Sequence, residues 1–383
     1  MHVLIIGGDG FCGWPTSLRF SELGHLVSIV DNLSRRKIDD ELGHAPLSPI
    51  AGPEDRLARW RDISGQEIAF HTIDLVTDFE ALKIVIERAQ PDVIIHFAEQ
   101  RSAPYSMLTD RGRNYTVSNN ITATHHLLCA ISVAAPDAHL IHLGSIGVYG
   151  YASAGMKLPE GYMKITGYGA DGEALDDEIL YPGRPDSIYH LTKLMDQQLF
   201  AFYARTYAIR CTDLHQGIVW GSQTSETRMH PDLVNRFDYD AVYGTVVNRF
   251  LTQAACQFPL TIYGSGEQTR AFIHLEDTID YIVAASETPP DRGTRPRIVN
   301  QIAETSSIAQ LARRVSDVSG CPVQKLENPR KEPPRNEFKV DHSTVAEVAS
   351  PRFTLQTSLA QEYAFVQALA ESVNPAVFLP TGS

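Results

Sequence analysis

What this chain has little of narrows it first. Its five cysteines, Cys12, Cys129, Cys211, Cys256 and Cys321, are odd in number, and no two stand in CxxC spacing. That argues against a disulfide framework or a zinc site and fits a reducing, cytoplasmic setting. Positive charge is short: 33 Lys plus Arg against 46 Asp plus Glu leave a net charge of −13. Such a surface repels phosphate backbones, so nucleic-acid binding through a general basic face is disfavoured, and an anionic substrate needs cations gathered in a pocket. Long apolar runs are missing as well. The longest, such as Val3 to Gly8 and Val93 to Ala98, fall far short of the ~20 residues that cross a bilayer. Apolar periodicity starts at residue 2 with no basic stretch ahead of it, so no secretory signal is visible. A soluble protein without a membrane segment or a metal site is expected.

What is present is enough for a sizeable core: 43% of the 383 residues are apolar. That length suits two or three domains, or one large α/β unit with an added lobe. The first ~130 residues alternate short apolar runs with amphipathic stretches, as βαβ units feeding a parallel sheet do. His2 to Ile6, Leu26 to Asp31, Glu67 to Asp74, Val93 to Phe97 and Leu140 to Gly144 read as strands, and Pro15 to Leu23 as the first helix. The pattern predicts a doubly wound Rossmann sheet with a smaller C-terminal substrate lobe. The expected division is 1–213 for the dinucleotide domain, with a return at about 249–290, and 214–248 with 291–383 for the lobe. Residues 33–66 look like an insertion, and the Gly-, Pro- and Tyr-rich stretch from Tyr151 to Pro185 like a binding loop. Ligands of such sheets sit beyond the carboxyl ends of the strands, so functional residues should follow these runs.

They do. Gly7, Gly10 and Gly13 form a GxxGxxG turn between the first strand and its helix, with Phe11 and Cys12 inside it. The turn must be tight, the backbone must approach a pyrophosphate, and the helix N-terminus offers N–H groups to the anion. The second strand ends in Asp31, followed by Asn32, 18 residues beyond Gly13. A carboxylate there meets adenosine ribose hydroxyls and favours NAD over NADP. Arg35 and Arg36 could welcome a 2′-phosphate or simply begin a solvated loop; the second is preferred. Asp74 with Leu75 is placed to contact adenine or to cap the next helix. Phe97 and Ala98 close the fourth run beside the cofactor.

Tyr189 and Lys193 stand four apart, one turn apart on one helix face. An ammonium beside a phenol favours the phenolate, a general base for a sugar hydroxyl. Ser145 ends the preceding strand and could share the same proton. His190, next to the base, could shuttle a second proton or merely pack. Cys12 reads as a packing residue.

Glycine turn, Ser145 and Tyr189/Lys193 in this order resemble the extended short-chain dehydrogenase/reductase family, whose members act on nucleotide sugars. Asn120 matches that family's structural asparagine and is counted with the cofactor residues. Gly264 to Arg270 resembles its diphosphate-binding stretch, with Asp277 beyond it. Within the family, GGDGFCGW (7–14), EQRSAPYSM (99–107), YHLTK (189–193) and NRFDYDAVYGTVVN (235–248) are similar to the sulfoquinovose synthases.

That resemblance implies a tightly held NAD, a UDP-glucose-like substrate, sulfite as second reactant, and a homodimer paired through the helices near Tyr189 and Asn120. It implies oxidation at C4, loss of the C6 hydroxyl after C5 deprotonation, sulfite addition at C6, and reduction back at C4. Arg101, which follows the fourth strand, is the cation for sulfite; Gln216, Asn248, Gln268, Arg270 and Arg330 complete the substrate set. Two departures stand out. Val148 occupies a position where the synthases carry a glutamate, and His215 one where they carry an asparagine near the phosphates. A nucleotide-sugar epimerase working through the same 4-ketone is the alternative. Ile146 and Gly147, where dehydratases carry an Asp-Glu pair, disfavour an ordinary dehydratase. A non-catalytic NAD-binding regulator would have no reason to keep Ser145, Tyr189 and Lys193 together.

Overall fold

The computed structural model describes residues 1–150, 157–327 and 339–378. Five apolar runs become parallel strands, β1 (His2–Ile6), β2 (Leu26–Asp31), β3 (Ile68–Thr72), β4 (Val93–His96) and β5 (His139–Ser145). An exposed antiparallel hairpin, β6 (Tyr162–Tyr168) and β7 (Ala174–Leu180), precedes β8 (Arg210–Gln216) and the short β9 (Ile218–Trp220). Then come β10 (Leu260–Tyr263), β11 (Thr269–His274), β12 (Arg297–Gln301), β13 (Glu304–Ser307) and β14 (Val323–Leu326). Seven strands form one sheet in the order β12-β8-β5-β4-β1-β2-β3, every pair parallel. This is the Rossmann arrangement, and it is why the Val, Ile and Leu of β1 and β4 run together without alternation: helices cover both faces.

The crossover helices are α1 (Gly13–Glu22), α2 (Ser34–Leu42), α3 (Pro53–Ser64), α4 (Phe79–Ala89), the one-turn α5 (Tyr105–Leu108), α6 (Asp110–Ala134) and α7 (Ile188–Tyr207). Beyond them lie α8 (Val246–Ala255), α9 (Leu275–Glu287), α10 (Ile308–Ser319), α11 (Ser343–Val348) and α12 (Leu355–Ala368). A second apolar core joins Trp220, Phe237, Phe250, Leu260, Phe272, Leu311 and Leu359. No helix among the described residues is long and apolar enough to cross a membrane.

The expected boundaries need correction in two places. Phe250, Leu251, Leu260 and Ile262 pack in the second core, although the sequence assigned about 249–290 to the sheet domain. Arg297–Gln301, assigned to the lobe, is instead the outermost strand of the large sheet, paired with β8. The inserted residues 33–66 fold into α2 and α3. The stretch expected as a binding loop is largely the β6–β7 hairpin, and none of residues 157–185 lines the two main clefts; Tyr151 to Met156 lie outside the described residues.

Candidate active site

The first cleft opens beyond the carboxyl ends of β1, β2 and β4. Gly7 has φ of +86°, and a Cβ there would fall 2.7 Å from the Ala98 nitrogen. At Gly13 a Cβ would come within 2.1 Å of the Gly7 carbonyl oxygen. The turn therefore exists only with glycine. No side chain caps α1, and no acidic residue stands in its first turn; the Trp14 and Thr16 N–H groups already bond the Gly10 and Cys12 carbonyls, so it is the glycine turn leading into the helix that can meet an anion. Gly7, Gly10, Phe11, Cys12, Gly13, Asp31, Asn32, Arg35, Asp74, Leu75, Phe97 and Ala98 all line this cleft, which Tyr189 and Lys193 close at one end. An uncapped helix end, a bare backbone cradle and Asp31 at the far side suit a dinucleotide.

Two expectations about its walls change. Arg36 is no solvated loop residue: its guanidinium grips Asp9 within the glycine turn, at 2.6 and 2.9 Å, and buried Arg56 adds a third bond to the same carboxylate at 2.9 Å. Arg35 stacks on Tyr243, its guanidinium carbon 3.6 Å from the ring centre. Neither is left free for a 2′-phosphate. Burial and neighbouring Asp9 push the Asp31 carboxyl up to about 6, against backbone bonds from Asp9 and Leu33. Asn120 does not line the cleft. It is buried, accepts from the Gln100 nitrogen at 2.8 Å, and donates to the Gln100 carbonyl and to Thr192. It ties α6 and α7 to the loop after β4, while its neighbour Asn119 faces the cavity.

A second cleft meets the first at Phe11, Cys12, Arg101, Gly144, Tyr189, Gln216 and Tyr243. Ser145, His190, Asn248 and Arg270 line it, and Gln268 lines its continuation beside Arg270. Tyr189 thus stands at the junction, with Ser145 on the wall of the second cleft near enough for its hydroxyl to favour the phenolate. The Ser187 hydroxyl caps α7, accepting from the His190 nitrogen at 3.2 Å, and also meets His190 Nδ1 at 3.0 Å. Burial lowers the His190 imidazole to about 4, so it is neutral. Gly147 makes room for that ring: a Cβ there would lie 2.3 Å from it. Arg330 lies outside the described residues.

Lys193 favours the Tyr189 phenolate, as the sequence suggested, but it does not act alone. Burial pushes Tyr189 up; Lys193 pulls it down, and Glu99 opposes Lys193. The Lys193 ammonium is already committed, 2.9 Å from Glu99 Oε2, 2.6 Å from the Leu143 carbonyl and 3.0 Å from His142 Nε2. Arg101 is paired with Asp238. Burial raises the Cys12 thiol to about 12, as a packing residue requires.

Both departures from the synthase pattern point away from the cleft. Val148 is 1% exposed in an apolar cluster with Ile146, Tyr149, Leu158 and Ile302. His215, expected near the phosphates, is fully buried on β8, bonded to Asp213 at 3.0 Å and to Tyr149 at 3.0 Å. Asp277 accepts from the backbone of Arg352 and Phe353. Sequence reasoning passed over Glu99, Gln100, Tyr115, Asn119, Arg236 and Tyr243, all lining the first cleft; Glu99 and Gln100 begin the EQRSAPYSM string that was singled out.

The model of the family described as "NAD dependent epimerase/dehydratase family" matches residues 3–300. The chain belongs to that family. It is 41% identical to the chloroplastic UDP-sulfoquinovose synthase of Spinacia oleracea over 364 residues, 94% of this chain and 73% of the relative. With the UDP-sulfoquinovose synthase of Sulfolobus acidocaldarius it shares 38% over 338 residues, 87% of this chain and 84% of the other. Among solved structures, a UDP-glucuronic acid 4-epimerase of Bacillus cereus, crystallised with UDP-glucuronic acid and NAD, superposes with a TM-score of 0.70. That match is 22% identical and covers 96% of this chain and all of the other, so it speaks for the fold. This family member is an NAD-dependent enzyme, and the first cleft has the residues to hold the cofactor.

Proposed function

We propose that the chain is a UDP-sulfoquinovose synthase, making a sulfonated nucleotide sugar from a UDP-glucose-like substrate and sulfite. The observation that carries the reading is the junction at Tyr189, where the dinucleotide cleft and a second cleft share one phenol. NAD, when bound, supplies the acceptor for the C4 hydride and returns it at the end of the cycle. Tyr189, with Ser145 beside it, takes the C4 hydroxyl proton. His190, neutral and on the wall of the second cleft, serves the C5 and C6 proton transfers. Arg101 and Arg270 offer charge to the anionic partners, Arg101 to sulfite and Arg270, with Gln268, Gln216 and Asn248 nearby, to the diphosphate. Similarity to the two synthases over most of the chain supports the same assignment.

Position 148 favours one second reading, a 4-epimerase. Its side chain is apolar and turned into a core, so this position offers the elimination no carboxylate. Incubation with UDP-glucose, with and without sulfite, separates the two. A sulfonated product formed only with sulfite is expected; an isomer of unchanged mass would overturn the synthase reading in favour of epimerisation. Tyr189→Phe should keep its NAD and lose turnover by about 10²-fold or more. A homodimer belongs to the proposal: Leu191, Met195 and Phe202 form an exposed apolar stripe along α7, at spacings that share a helix face. A reducing, cytoplasmic location is proposed from the unpaired cysteines.

A further inference from the structure

The first four N–H groups of an α-helix have no partner inside it. At the start of α7 the Ser187 side chain takes the one on His190, and intrahelical bonding begins with the Leu191 N–H on the Ser187 carbonyl. The N–H of Tyr189 finds its partner outside the helix. The Ser106 hydroxyl on α5, 83 residues earlier in the chain, accepts from it at 3.1 Å. Ser106 belongs to the EQRSAPYSM string (99–107), of which the proposed reaction uses only Arg101.

We infer that Ser106 is a positioning residue for the reaction: its hydroxyl holds the backbone N–H of Tyr189 and so sets where the phenol stands at the junction of the two clefts. The inference rests on the role of Tyr189 proposed above.

The direction of the bond is fixed by its surroundings. Ser106 is fully buried, and its one hydroxyl hydrogen goes to the Ala103 carbonyl at 2.7 Å. The oxygen is therefore left to accept, and Tyr189 is the donor it meets. The loop that carries Ser106 is closed by its own bonds. The Gln100 amide donates to the Ser102 carbonyl at 3.0 Å and to Thr116 at 2.8 Å, and accepts from the Ser102 N–H. The Ser106 N–H bonds the same Ser102 carbonyl at 3.1 Å. A hydroxyl set in such a loop is a fixed point.

The other end of the Tyr189 residue leads back to the same loop. Its carbonyl accepts from the Thr192 hydroxyl at 2.8 Å, and that hydroxyl accepts from Asn120 at 3.0 Å. Asn120 in turn bonds the Gln100 N–H and the Gln100 carbonyl. One helical turn beyond Tyr189, the Lys193 ammonium lies 2.9 Å from Glu99. Residues 99–106 thus hold the N–H of Tyr189 directly, its carbonyl through Thr192 and Asn120, and the ammonium of Lys193. Glu99, Gln100 and Arg101 of the same loop line the dinucleotide cleft, so the phenol is placed by the segment that borders the cofactor site.

Removing the hydroxyl leaves a buried N–H unpaired, which is unfavourable. The first turn of α7 then shifts until water or Ser187 meets that N–H, and the phenol moves with it. A misplacement of about 1 Å at a reacting group costs on the order of 10²-fold in rate.

The test uses the full chain loaded with NAD, given UDP-glucose without sulfite, and follows the absorbance of the reduced nicotinamide. Ser106→Ala is expected to slow reduction by about 10- to 100-fold, with NAD content and the half-saturating UDP-glucose concentration within about twofold of wild type. In the Tyr189→Phe background the same substitution should change the residual rate by less than about twofold, because it acts through a phenol that is no longer there. A merely structural serine would slow both backgrounds alike, and that result would overturn the inference. Amide hydrogen exchange, read in overlapping peptides, needs neither turnover nor a variant. The Tyr189 N–H of wild type should exchange as slowly as amides in the interior of α7, and Ser106→Ala should release it. Rapid exchange in wild type would show that the bond is not made and would end the proposal, whether or not the variant folds. If the amide is protected but no UDP-sugar reduces the cofactor, or Tyr189→Phe reduces it at the wild-type rate, the reaction proposed above fails and the placement of Tyr189 by Ser106 stands. If wild type reduces the cofactor, Tyr189→Phe does not, and Ser106→Ala matches wild type, the inference alone falls.

Discussion

At position 147 a single hydrogen separates two chemistries. Adding a methyl there would place a carbon 2.3 Å from the His190 ring, and the ring would have to leave its contact with Ser187. Gly147→Ala should therefore still oxidise the sugar at C4, within about tenfold of wild type, but stall at the proton transfers assigned to His190. The check is accumulation of the reduced cofactor with no sulfonated product. His142 gives a second residue-scale prediction, in stability. Its imidazole is held near 9 in the fold against about 6.5 in an unfolded chain. A raised base stabilises fully below the unfolded value and loses that contribution as pH rises through the folded one. The melting-temperature gap between wild type and His142→Gln, without added cofactor, should be widest below about pH 6.5 and shrink toward pH 9. A gap that widened with pH would refute the assigned charge. Residues of this kind were unequally legible. Ser145 could be read because it ends an apolar run, and Tyr189 and Lys193 because their spacing sets them one turn apart on one helix face. His142 could not, since inside a buried strand a histidine and a leucine occupy the same place in the pattern.

At the scale of elements, α7 does two jobs with its faces. One brings Tyr189, Thr192, Lys193 and Asp196 inward; the other leaves Leu191 at 37%, Met195 at 41% and Phe202 at 45% exposure. Exposed apolar side chains at i, i+4 and i+11 along one helix suit the pairing face of the proposed dimer. Met195→Glu with Phe202→Glu should convert a dimer to a monomer in sedimentation, with loss of activity if pairing steadies α7. A protein already monomeric would remove the dimer from the proposal. Five strands of the sheet were legible from short apolar runs. β8 was not, because Arg210, Thr212, Asp213 and His215 interrupt it, and two further elements escaped for other reasons. The β6–β7 hairpin is exposed along nearly its whole length, so no alternation marks its faces. Arg297–Gln301 carries Arg297, Asn300 and Gln301, and is a strand because its backbone completes the sheet edge beside β8.

Across the whole molecule, one carboxylate fastens the segment after β9 to the dinucleotide domain. Asp238, 3% exposed at its side chain, takes Arg35 from α2 at 3.1 Å, Arg236 at 3.3 Å, and Arg101 from the loop after β4. Three of these partners line the cofactor cleft, as does Tyr243, on which Arg35 stacks. No periodicity could reveal this, because Asp238 lies 203 residues from Arg35 and 137 from Arg101; only the particularity of the string around it hinted at a role. The ion pairs thus fix part of the wall against which a dinucleotide would lie. Asp238→Asn keeps the shape and removes the charge, leaving buried Arg236 short of a counter-ion at a cost of about 3 kcal/mol. The fold should survive, since Arg236 retains Asp39, but bound cofactor should be lost. After gel filtration, NAD per chain should drop well below the wild-type value, and added NAD should restore much of the melting temperature, because ligand binding stabilises by RT ln(1 + [L]/Kd). Retention of the full cofactor content by the asparagine variant would show that the glycine turn and Asp31 hold the dinucleotide without this clamp.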